Sequence, residues 1–79
     1  MRNKKVMLPK ELRKKYELTN YQLALALGCA EPTVKQYCSS PEASSYRDTP
    51  LPIRMLCECR NKEWEQQGVP KKFSQYNTI

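Results

Sequence analysis

Between Leu18 and Cys38 the chain reads LTNYQLALALGCAEPTVKQYC, a stretch with little freedom in how it folds. Thr19 is an N-cap residue and Gln22, three positions on, completes a capping box. In that arrangement each side chain accepts a hydrogen bond from a backbone N–H that the first helical turn leaves open. Leu18 before the cap and Leu23 at the fourth helical position form a hydrophobic staple. Gly28 ends the helix where a positive φ is cheap. Pro32 must lie in the first turn of the next helix, because an interior proline would break it. The stretch therefore predicts two short helices joined by a tight turn at Gly28. Leu23, Ala24, Leu27, Val34 and Tyr37 fall where two crossed helices need apolar contacts, with Cys38 alongside, and the small Ala24 lets a neighbouring helix approach closely.

At 79 residues there is room for one domain with a small core. Such a chain buries barely enough apolar surface to offset its ordering entropy. It needs staples, a partner copy, or well-capped helices in compact packing; the local signals favour the last, with dimerisation added. Cys29, Cys38, Cys57 and Cys59 do not make a zinc site. One pair is C-x-C, the other is nine residues apart, and the sequence has no histidine. Idle or buried thiols in a reducing cytoplasm are the expectation.

Along the rest of the chain, residues 1–8 read as a basic flexible arm. Helix 1 is predicted from Pro9 to Tyr16, with Leu8, Leu12 and Tyr16 as a narrow apolar stripe and Lys10, Arg13, Lys14 and Lys15 facing water or phosphate. Residues 39–50, rich in Ser and Pro, read as a loop that Tyr46 pins to the core. Helix 4 is predicted from about Pro52 to Gln67. Its Ile53, Leu56, Cys57, Arg60 and Trp64 repeat at helical spacing, with Trp64 the core anchor. The stem of Arg60 is expected to cover the core while its head reaches water. Gly68, Val69 and Pro70 stop that helix. The tail 69–79 either frays or docks Phe73 and Tyr76, and service to a partner subunit is a further use for two aromatics that would be unusual on a free tail. The fold class is thus all-α, a small four-helix domain over 9–68 with no sheet.

The formal charge of +6 is unevenly spread. Residues 1–15 hold seven Lys or Arg against the single Glu11, whereas 16–50 hold only Lys35 and Arg47 against four acids. Clustered cations at the amino end attract polyanions by counterion release, although basic termini also simply aid solubility. No apolar run is long enough for a membrane span or a secretion signal, so a cytoplasmic location is expected.

The pattern L-T-x-x-Q-L-A-x-x-L-G-x-x-x-x-T-V, carried here by Leu18, Thr19, Gln22, Leu23, Ala24, Leu27, Gly28, Thr33 and Val34, resembles that of the Cro and phage-repressor (XRE-type) helix-turn-helix family. The resemblance covers about residues 8–40. It implies that helix 3, about 31–39, enters the major groove of double-stranded DNA and that Glu31, Pro32, Lys35 and Gln36 meet base edges. Gln36 would pair with adenine, Lys35 donate to guanine, and Glu31 accept from cytosine. Asn20 and Tyr21 match positions that contact phosphate. Thr33 and Ser39 on the outer face of helix 3 and Arg47 from the loop are further candidates for the DNA backbone. An arm of Arg2, Lys4 and Lys5 would reach a flanking minor groove. Two departures from the family stand out. Ala30 occupies the place of the usual recognition-helix N-cap, and a Ser/Pro loop with one long helix replaces the usual fourth and fifth helices.

The function expected is a sequence-specific transcriptional regulator or repressor that binds DNA as a homodimer, with no cofactor, no metal, no small-molecule substrate and no membrane partner. An enzyme is not expected, for lack of histidine, a glycine-rich phosphate loop or a paired-carboxylate site. The rival reading is a protein-interaction module on the same fold, such as an antirepressor or phage accessory factor. The near-neutral charge of helix 3 favours that rival; the basic amino end opposes it.

Overall fold

The computed structural model describes residues 7–74, which form five helices. These are α1 (Pro9–Lys15), α2 (Asn20–Leu27), α3 (Glu31–Cys38), α4 (Leu51–Gln67) and α5 (Lys71–Ser74), with no strand among the described residues. The molecule is all-α, and one short helix joins the four that the sequence predicts. No helix among the described residues is long and apolar enough to cross a membrane.

Each of the four longer helices sends one side chain to zero exposure: Leu12, Leu23, Val34 and Cys57. Leu18, Ala24, Ala26, Leu27, Trp64 and Phe73 complete the buried core. Full burial of a large aliphatic or aromatic side chain stabilises by about 1.5–3 kcal/mol, so a core of this size leaves little surplus. Two expected contacts with the core, those of Tyr37 and Tyr46, are not made, while Cys38 packs where it is expected beside Val34. Tyr37 is half-buried outside the core. In the loop 39–50, Thr49 is the buried residue. Tyr46 is half-buried and donates its hydroxyl to Asp48 at 2.9 Å instead of pinning the loop to the core.

Two corners of the same construction aim the first three helices. At the end of α2, Gly28 is left-handed at φ 68, Cys29 N–H donates to the Ala24 carbonyl at 3.0 Å, and Gly28 N–H donates to Leu25. At the end of α1, Glu17 is left-handed at φ 53, Leu18 N–H donates to the Arg13 carbonyl at 2.9 Å, and Glu17 N–H donates to Lys14. Both are Schellman closures, which occupy carbonyls the helix end leaves open. The second is built on a glutamate, at a conformational cost and with a negative charge at the wrong end of the helix dipole.

A third open carbonyl of α2, that of Ala26, is taken by Arg60 of α4, whose Nε donates to it at 2.9 Å. The same guanidinium lies 5.4 Å from the Phe73 ring centroid and pairs with Glu63 at 3.4 Å. The head of Arg60 therefore does not simply reach water: it bridges α2, α4 and α5. Phe73 docks against Trp64, their centroids 5.8 Å apart, and Tyr16 meets Trp64 edge-on at 5.1 Å. Val69 also packs on the core, so the packed unit continues past Gly68. Tyr76 lies outside the described residues. On the amino side, Met7 N–H donates to Glu58 at 3.2 Å, which ties the start of the described chain to α4. Tyr16 and Lys15 both bond Asn61, and Lys15 also pairs with Glu65 at 2.5 Å.

The paired corners give a signed test. Glu17→Gly should raise stability by about 0.5–1 kcal/mol, and Gly28→Ala should lower it by about 1 kcal/mol. A Cβ at Gly28 would meet nothing within 4 Å, so the backbone alone sets that cost. Urea midpoints at constant slope would read both.

Burial, with smaller contributions from the neighbouring Cys29 and Cys38, pushes the Cys57 thiol from 9.0 up to about 12. Below pH 9 the thiol is protonated in both the folded and the unfolded chain. Between pH 9 and about 12 only the unfolded chain ionises, so stability falls as pH rises. Cys57→Ala should make that alkaline decline shallower in a urea-midpoint series across the same range. In the wild type at neutral pH, a maleimide should label the exposed Cys59 while leaving Cys57 untouched until the protein unfolds.

Candidate functional site

The candidate site is the outer side of α3 with the groups around it. The α2–α3 corner positions it. The Thr19 side chain accepts from Gln22 N–H at 3.0 Å and the Gln22 side chain accepts from Thr19 N–H at 2.8 Å. Gln22 is buried by this task. After the Gly28 closure, α3 starts at Glu31 with Ala30 in extended conformation before it. Ala30 offers no side-chain cap, and Pro32 fills an early position where a missing N–H costs nothing. Val34 then anchors the inner side.

Glu31 and Lys35, and Pro32 and Gln36, are each four apart and share one side of the helix. Pro32 and Lys35 are exposed; Glu31, Thr33 and Gln36 are half-buried. The four residues expected to meet base edges thus lie together. The loop after α3 returns onto this side at its far end. Arg47 N–H donates to the Gln36 backbone carbonyl, and Arg47 Nη1 donates to Gln36 Oε1, both at 3.3 Å. The loop is shaped by turns in which Ala43 N–H bonds Ser40 and Tyr46 N–H bonds Ala43.

The residues expected to contact phosphate are less uniform. Tyr21 is 60% exposed at the start of α2. Asn20 beside it is half-buried, its Oδ1 accepting from Arg13 Nη1 at 2.8 Å. Ser39 spends its hydroxyl on the Lys35 carbonyl at 2.9 Å, with Ser45 3.4 Å away. Arg47 sits on Gln36 rather than standing free in the loop. Arg2, Lys4 and Lys5 lie outside the described residues.

In the sequence Arg13 is one of several undifferentiated cations of α1; in the fold its guanidinium donates to Asn20 at the start of α2. Lys10 and Arg13 also approach the far end of α3, where their charges partly oppose the upward push that burial gives the Cys38 thiol. Lys10 acts on the loop as well. The Ser40 hydroxyl, the backbone N–H of Glu42 and the Lys10 charge together hold the Glu42 carboxyl below its usual range. Lys35 and Arg47 thus lie with Gln36, whereas Lys10 and Arg13 act on Cys38, on the side of α3 that packs against the core. Their spacing in α1, three apart, puts Lys10 and Arg13 on a common side, but only the packing of α1 on α3 shows what that side faces. The described residues hold no pocket and no cluster of side chains suited to a metal ion.

The missing cap at the head of α3 makes a direct prediction. Ala30→Ser should stabilise the protein by about 0.5–1 kcal/mol, read as a higher urea midpoint, because the new hydroxyl can accept from an open N–H of the first turn. No family model, no curated protein and no solved structure matches this chain.

Proposed function

We propose that the chain is a sequence-specific DNA-binding regulator of transcription, working in the cytoplasm as a homodimer on a two-fold site, with α3 in the major groove. The observation that carries this reading is the side of α3 itself. It presents Glu31, Pro32, Lys35 and Gln36 from a helix set by two capped corners, with Arg47 bonded to Gln36 and Arg13 bonded to Asn20 at the head of α2. Polar side chains able to donate and accept at fixed spacing suit base edges, and the two arginines suit phosphate. The basic first fifteen residues add a salt-sensitive, sequence-independent attraction.

A second reading, binding of another protein through the same fold, is favoured by one observation. Tyr21 with Leu25 on α2, and Leu51 with Met55 on α4, are pairs of large apolar side chains one turn apart and about half exposed or more.

Fluorescence anisotropy on mixed-sequence duplex separates the two. The DNA reading expects binding at micromolar protein in low salt, with log affinity falling linearly against log salt. Absence of binding under those conditions would favour the protein-binding module. Within the DNA reading, Gln36→Ala should relax sequence preference, whereas Lys4→Ala should weaken all duplexes alike and reduce the salt slope.

A further inference from the structure

We infer that Arg47 and Gln36 form a single reading unit whose preferred partner is the guanine edge in the major groove, an inference that rests on the DNA-binding reading above. A guanidinium has only donors, so it can meet a glutamine side chain only at the amide oxygen. The 3.3 Å contact from Arg47 Nη1 to Gln36 Oε1 therefore fixes which way the amide points. Its oxygen is turned to Arg47, leaving the Nε2 N–H groups for an outside partner. The second bond, from Arg47 N–H to the Gln36 backbone carbonyl, roots the arginine on the residue it modifies. Arg47 remains exposed, so its other N–H groups face outward beside those of Gln36.

The combined surface is rich in donors and carries a positive charge. An isolated glutamine reads adenine by accepting from N6 and donating to N7. Here the adenine amino group would have to share Oε1 with the guanidinium, whose charge and remaining N–H groups oppose the approach of a second donor. Guanine offers acceptors at both O6 and N7, which matches what the pair presents. Arg47 thus changes from a phosphate contact, as the sequence alone suggests, to a residue that determines specificity by converting Gln36 from an adenine reader to part of a guanine reader.

The test is selection from randomised duplexes, followed by anisotropy on guanine- and adenine-bearing versions of the selected site, using the full chain and its Arg47→Ala and Arg47→Lys variants. The wild type should favour guanine at one position by on the order of tenfold. Arg47→Ala should lose that preference and move toward adenine as the amide is released. Arg47→Lys keeps the charge without the planar fork. It should hold mixed-duplex affinity within about threefold while losing the guanine preference. Wild-type preference for adenine, or equal weakening on both bases in the two variants, would overturn the inference while leaving DNA binding intact. Failure of the wild type to bind any duplex would remove the DNA-binding reading and this inference with it.

Discussion

Helices of eight residues do not persist alone in water, so the corner at Gly28 has to hold before α3 can present anything. Its strength comes from several small contributions acting on the same few residues. The Thr19–Gln22 reciprocal bonds begin α2, the left-handed glycine ends it, and Arg60 takes a carbonyl that the closure leaves open. Leu23 and Val34 then bury on either side of the turn. Each local device contributes on the order of 1 kcal/mol, which counts for much when net stability is only a few times larger.

What a reader can extract from the residues alone follows from how local the cause is. The capping box, the glycine stop and the proline at the head of α3 are decided within four positions, and all three appear at the predicted residues. Val34 follows from the same local frame. Tyr37 and Cys38 differ only in lying three or four positions beyond Val34, a choice that helical spacing leaves open and that packing decides for Cys38. Arg60 looks like a polar intruder on an apolar stripe because its acceptor, Ala26, is 34 residues away. The same holds for Phe73, which needs Trp64 in place to have anything to dock on. Glu17 carries no signal of its left-handed conformation, since glycine or asparagine is the usual mark of such a closure.

The site divides in the same manner. Glu31, Pro32, Lys35 and Gln36 share a side because helix geometry makes them do so. Their neighbours depend on how distant segments fold back. Asn20 is engaged by Arg13, Ser39 by the helix it terminates, and Gln36 by Arg47. A residue-by-residue transfer from a motif treats each side chain as free to meet its own target, whereas in this molecule several of them meet each other first. Recognition by such a surface is a property of linked groups, and its chemistry is that of the pair rather than of either member.

The aromatic contacts of α4 have one further consequence. Trp64 is the sole tryptophan of the sequence, and it is gripped by Tyr16, the residue that caps α1, and by Phe73 of α5. Its indole emission therefore senses detachment of α1 or of α5, without any attached dye. Because the two rings belong to different elements, replacing one at a time would separate loosening of α1 from loosening of α5, and would distinguish both from global melting.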